Sequence, residues 1–399
     1  MLKIRARRAS IALTILAGCS PIAVLAQEAL DENVAIERAL AREGLASLDE
    51  AERAAAAAEV DLIGPRDNPG VELTREGAGG ESEYQLVVSQ AFDLNGRRSS
   101  LRDATRADGR ALEADILRRR QLVVGEVRQA YVRCAAARAE RDIWERYVAE
   151  LAEAERVSDA RAEAGDTAVY DVRRVRVEQR SAEAQLARVR GDVAAGCAAL
   201  TSLTGIANPQ VKLAALTRLA SAAPVGERPD IVAAERRIEA ADYRVRAADQ
   251  SRLPQIVVGA GVLRRDDGMD SAIGPVVSVG ATVPLWTNGR VAVRREEARR
   301  TALRAELLID RRRIEAEQAS ASARADAARE AAVVANRARE DAGRLGTIAE
   351  TAYQAGEIGV VELLDAYEAA RDADLSVVAL ALDAALAAVD YDLAIGRTY

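Results

Sequence analysis

The sequence predicts a mainly α-helical fold with a small β part. Long α-helical hairpins, of the kind that build a coiled-coil barrel, are joined to four β-strands, and the whole is an internal tandem duplication. Three observations carry this. The run FDLNGRR around Asn95, Gly96 and Arg97 returns as LWTNGRV around Asn288, Gly289 and Arg290. Each copy is followed by a proline-free, Ala/Arg/Glu-rich stretch that breaks at Ala164, Gly165 and Asp166 or at Ala355, Gly356 and Glu357, and the stretch after each break ends equally far on, at Gly205 or Gly396. The chain of 399 residues is 49% apolar and 30% charged but only 3% aromatic, which suits helices packed through narrow small-residue seams better than a thick globular core.

Residues 1–26 read as a signal peptide, with Lys3, Arg5, Arg7 and Arg8 before the apolar run Ile11–Ala17 and a small-residue cut after Ala26. Leu16-Ala17-Gly18-Cys19 also resembles a lipoprotein box that would lipidate Cys19, but the apolar segment after Cys19 favours cleavage at Ala26. Loss of four basic residues moves the formal net charge from −7 to −11, an unfavourable balance for binding nucleic acid.

Residues 27–205 form the first repeat, 206–228 a linker with Pro209, Pro224 and Gly226, and 229–399 the second repeat. Leu30 to Leu62 reads as one helix, stopped by Gly64-Pro65. A hairpin over 70–92 follows, with strands Val71–Thr74 and Tyr84–Ala91 about a glycine-rich turn. Helices 98–164 and 168–204 complete the repeat. The second repeat gives a helix from Pro229 to Ser251, strands Leu253–Leu263 and Ile273–Leu285, and helices 290–355 and 359–396.

Two uninterrupted helices of this length are each roughly 100 Å long, and the shorter helices of each repeat, stacked end to end, nearly match them. A cylinder wall needs that equality of height. The strands are long enough to cross an outer membrane when tilted, and no stretch is apolar enough for a spanning helix. Four strands cannot close a barrel, so a single chain would leave unpaired edges in lipid. A homo-oligomer follows from that alone.

The segments RPDIVAAERRIEAADYRVRAADQSRLPQI (Arg228–Ile256), VPLWTNGR (Val283–Arg290) and AGEIGVVELLDAYEAARDADL (Ala355–Leu375) resemble the TolC-like outer-membrane efflux family across the mature chain. The resemblance implies a homotrimer in the outer membrane. Its strands would form one twelve-stranded transmembrane β-barrel in contact with outer-membrane lipid, and its helices an α-barrel through the periplasm. The partners implied are a periplasmic adaptor and an inner-membrane transporter of the resistance-nodulation-division type, with metal cations or drugs as cargo. It also implies that Ala164, Gly165, Asp166, Ala355, Gly356 and Glu357 contact the adaptor.

Glu362 and Asp365, three apart on one helix face, match the family's periplasmic constriction and would form stacked anionic rings. Tyr170 and Asp171 match residues that tether the closed tip, although apolar Ile358 stands where a basic partner of that tether belongs.

Arg97 and Arg290 read as helix-start residues beside lipid headgroups. Cys134 and Cys197 stand at equal height on the two sides of the first hairpin; they are either a disulfide or, the preferred reading, two separate buried thiols. With no histidine, no cysteine cluster and no phosphate-cradling glycine loop, the sequence points to no enzyme, no cofactor and no metal site. The alternatives are a type I protein-secretion duct and a soluble periplasmic coiled-coil adaptor, which would carry one hairpin and more β sequence.

Overall fold

The computed structural model describes residues 30–78, 81–93, 95–212, 216, 226–266, 269–284, 286 and 289–397; the expected signal peptide and Cys19 lie outside these residues. In chain order the described residues form α1 (Glu32–Leu40), α2 (Glu43–Leu62), β1 (Gly70–Ala78), β2 (Glu81–Phe92), α3 (Arg97–Glu163), α4 (Val169–Thr204), α5 (Pro229–Gln250), β3 (Gln255–Asp266), β4 (Ser271–Thr282), α6 (Arg290–Ala355) and α7 (Val360–Ala394). Helix α3 has 67 residues and α6 has 66, while α4 and α7 have 36 and 35. None of the described helices is both long and apolar enough to cross a membrane.

The expected single helix over 30–62 is broken. Arg42 takes an extended backbone (ψ 135°) and its guanidinium donates to the Ser202 carbonyl near the end of α4. As a result α1 packs against both α3 and α4, whereas α2 runs along α3. The parallel event occurs in the second repeat, where the buried Arg228 donates to the Ala394 carbonyl at 3.2 Å while pairing with Asp230 and Glu317 at 2.8 and 3.0 Å. Both short helices are thereby fixed above the helices that continue their column.

Alanine lets these columns approach closely. The seam of α3 with α5 is lined by Ala104, Ala107, Ala111 and Ala114 against Ala233, Ala240, Ala241 and Ala247, all buried. Arginine–carboxylate pairs flank it, including Arg110–Glu239 at 2.8 Å and the Arg237–Asp115 and Arg244–Asp108 contacts. Such half-exposed pairs contribute about 0–1 kcal/mol each, so packing holds the seam and the pairs fix its register.

Asp49 of α2 is fully enclosed, held by Arg119 and Arg120 at 3.0 and 2.8 Å. Cys134 and Cys197 are joined as a disulfide, not separate thiols; Gly196, where a Cβ would stand 3.1 Å from that of Ala137, lets α3 and α4 close to a Cα–Cα distance of 4.5 Å.

The four strands form one antiparallel sheet in the order β1-β2-β3-β4, so the two hairpins join through β2 and β3. The strands run further than the sequence predicts toward the hairpin turns, because pairing continues through Glu76↔Glu83 and Glu83↔Arg265, the latter an ion pair at 2.8 Å. Register resolves the imperfect alternation. Directly paired residues share a face, and one face carries Leu73, Leu86, Val88, Val258, Val262, Ile273, Val277 and Val279. The other carries Thr74, Gln85, Ser89, Gly259, Gly261 and Ser278, with Val87 in the notch beside the glycines.

The apolar face on β2 runs from Tyr84 to Phe92, roughly 27 Å along the strand at ~3.4 Å per residue. That is comparable with the ~25 Å lipid-facing band of outer-membrane barrels, which is likewise bounded by aromatic residues. Neither β1 nor β4 has a second partner among the described residues.

At Gly261 a Cβ would stand 2.0 Å from the Leu86 carbonyl oxygen, a backbone atom that cannot yield without loss of pairing. Gly261→Val is therefore expected to abolish assembly. Heat-modifiable migration of outer-membrane fractions checks this, and a variant that assembles at wild-type levels would refute the close approach.

Candidate functional site

The end of the helical part remote from the sheet is built from two tips with the same closing geometry. Gly165 and Gly356 have φ of +83° and +80°, a conformation that a Cβ penalises. In each tip a backbone bond spans the turn, Asp166 N–H to the Arg161 carbonyl and Glu357 N–H to the Ala352 carbonyl, both 2.8 Å. Ala164, Gly165, Asp166, Ala355, Gly356 and Glu357 are all exposed.

Behind the tips lies an apolar cluster of Tyr147, Leu151 and Val175 with Tyr353, Val360, Leu363, Leu364 and Tyr367, joining the first hairpin to the second. Because Val360, Leu363, Leu364 and Tyr367 turn into this cluster, Glu362 and Asp365 are left on the opposite, exposed face of α7. Among the described residues neither carboxylate has a hydrogen bond or ion pair in the structure. The same exposed line continues along α7 through Asp372, Asp383 and Asp390. The acidic feature is therefore a stripe, of which the sequence reading saw only the lower end.

Tyr170 and Asp171 lie at the start of α4, just past the first tip. Tyr170 is 68% exposed, and Asp171 accepts a hydrogen bond from the Thr167 hydroxyl at 2.9 Å within its own hairpin. Ile358 packs against the apolar cluster. A contact between the two hairpins is made by Tyr353 of α6. Its hydroxyl lies 2.7 Å from that of Ser158 on α3, both residues being buried. Arg161 of α3 stacks over the Tyr353 ring at 5.1 Å and donates to the Tyr353 carbonyl at 2.9 Å.

A second joint lies a few turns away. The Arg371 guanidinium sits 4.5 Å from the Tyr147 ring centre and 5.2 Å from that of Trp144, with Glu178 of α4 3.9 Å away. Tyr147 donates to Glu178 at 3.0 Å, and burial pushes its phenol pKa well above the usual range, so it stays a neutral donor. In a chain with so few aromatics, their concentration near the tips was the available sequence signal for these joints.

The arrangement offers exposed turns for docking, an acidic face and interlocked hairpins. The outer membrane efflux protein family model matches residues 25–206 and 225–397. The chain belongs to the outer membrane efflux protein family. This is a family of channel and transport proteins located in the outer membrane.

The chain is 28% identical over 206 residues to the outer membrane efflux protein BepC of Brucella suis, and 28% identical over 269 residues to the toluene efflux pump outer membrane protein TtgF of Pseudomonas putida. These matches cover 48% and 61% of this chain, and about half the length of the curated relatives, 45% and 56%. The CusC channel structure superposes with a TM-score of 0.75 at 20% identity, covering 92% of each chain.

Removing one hydroxyl of the Tyr353–Ser158 pair leaves the other buried without a partner, which costs about 1–3 kcal/mol. Ser158→Ala and Tyr353→Phe are each expected to speed amide exchange around 158–166 and 349–357 by about tenfold, with the double variant recovering part of the loss. Hydrogen-exchange mass spectrometry reads this, and tip exchange equal to wild type would remove the tether.

Proposed function

We propose that this chain is one third of a passive exit duct in the outer membrane, the terminal part of a tripartite efflux system. The observation that carries the proposal is the open four-stranded sheet with one apolar face, mounted on helical columns of matched height. Three copies pairing β1 of one with β4 of the next would satisfy every edge amide and seal a barrel in lipid. The helices would continue that opening as a tube of about 100 Å.

In this reading the exposed tips at Gly165 and Gly356 dock on a periplasmic adaptor, which connects the duct to an inner-membrane transporter of the resistance-nodulation-division type. Energy comes from that transporter. The relative TtgF is named for toluene efflux, and the acidic stripe suits cations; drugs or metal cations are therefore the cargo we assign. Threefold repetition would turn Glu362 and Asp365 into stacked anionic rings at the narrow end, with Asp383 extending the negative field up the wall.

Planar-bilayer recording tests this assignment. Glu362→Gln/Asp365→Asn is expected to lower the cation-to-anion permeability ratio by about twofold or more, as charged rings do in channels. An unchanged ratio in a conducting channel would mean that these carboxylates do not line the pore.

A further inference from the structure

The junction between sheet and helices holds a cavity of about 310 Å³ lined by Arg66, Asp67, Phe92, Asp93, Arg98, Arg102 and Arg106. Four of its charges are already engaged. Arg98 pairs with Asp67 and donates to the Ile63 carbonyl, and Asp93 accepts the Arg98 backbone N–H at 3.2 Å. Arg106 pairs with Asp103 at 3.0 Å. Among the described residues Arg66 and Arg102 have no carboxylate partner, and the Arg102 Nε is enclosed with no hydrogen-bond acceptor. The cavity is thus net positive, and Arg66 and Arg102 line it without a carboxylate partner.

Its height in the molecule indicates what it meets. Phe92 ends the apolar face of β2 and also lines the cavity, and Trp286, 93% exposed, stands just beyond β4 at the same end of the sheet. Aromatic residues mark the membrane–water boundary in barrels. Arg102 lies one helical turn beyond Arg98, about 6 Å further from the sheet, which is the depth of a headgroup layer. Arg106 stands five turns before Val124 on α3 and so on the same face, the face α1 packs against, and away from the alanine seam with α5. The cavity therefore opens beside the membrane surface and not inside a helix seam.

We propose that this cavity binds a phosphate oxyanion through Arg66 and Arg102, supplied by a phospholipid headgroup of the periplasmic leaflet or free in solution. Guanidinium groups suit phosphate because their paired N–H donors match its oxygens. Arg97, which the sequence placed beside headgroups, lines a separate cavity with Arg244, Arg295 and Arg299 and has no part in this site.

The test uses the purified full-length oligomer. Native mass spectrometry after delipidation counts phosphatidylglycerol retained by wild type, Arg66→Gln/Arg102→Gln and Arg66→Lys/Arg102→Lys. Thermal unfolding of the same proteins in millimolar inorganic phosphate against chloride gives the second arm. Lipid retention several-fold lower in the glutamine variant, intermediate in the lysine variant and indifferent to added phosphate assigns the site to a headgroup. Stabilisation of wild type by inorganic phosphate, absent in the glutamine variant, assigns it to free phosphate. Equal lipid retention in all three proteins, with no effect of phosphate on wild-type unfolding, overturns the proposal. Should the glutamine variant fail to assemble, the lysine variant and the wild-type phosphate arm still decide.

Discussion

The structure depends on the edges of its sheet. A strand edge presents a row of unpaired amides and carbonyls, and in hydrocarbon each unsatisfied group costs several kcal/mol. Here β2 and β3 satisfy each other across the two halves of the chain, which among the described residues leaves β1 and β4 as edges of an antiparallel ribbon with one apolar face. The ribbon is too narrow to curl on itself and too apolar on one side to remain in water. Closure by further copies resolves both problems at once, and the helical columns below must then stand in the same ring.

Such a ring would explain features with no use in a compact domain. The columns need equal heights, so one helix of each repeat is unbroken while its neighbours are assembled from shorter pieces. Arg42 and Arg228 fix the upper pieces by taking carbonyls at the ends of α4 and α7. The seams must be narrow, which alanine provides, and they must not slide, which the flanking arginine–carboxylate pairs and the Cys134–Cys197 disulfide oppose. At the tips the two hairpins are held by contacts of a different kind, the Tyr353–Ser158 hydroxyl pair and the Arg371 stack. These leave the exposed face of α7 free to carry its carboxylates.

Much of this was legible in the residues because it is local or periodic. Glycine at 165 and 356 announces a left-handed turn, the absence of proline announces the long helices, and repetition of the Asn-Gly-Arg run announces the duplication. What stayed hidden depends on distant partners. The break at Arg42 is marked locally only by Gly44, and its guanidinium contact with the Ser202 carbonyl lies 160 residues away. Strand alternation looked irregular because Val257 and Val276 fall on the small-residue face, which only the β2–β3 and β3–β4 registers reveal. The disulfide requires the close approach that Gly196 permits. The bridge from α3 to the second hairpin, made by Ser158 and Arg161 to Tyr353, joins residues 195 and 192 apart in the chain, and the pairing itself has no local sequence signature.

The most direct measurement joins the two free edges chemically. With cysteines in place of Leu73 on β1 and Val277 on β4, a short thiol cross-linker applied to outer membranes is expected to give bands of two and three linked chains, with three the limit. A single-chain band alone, or a ladder that runs past three, would contradict edge-to-edge closure of the sheet by three copies.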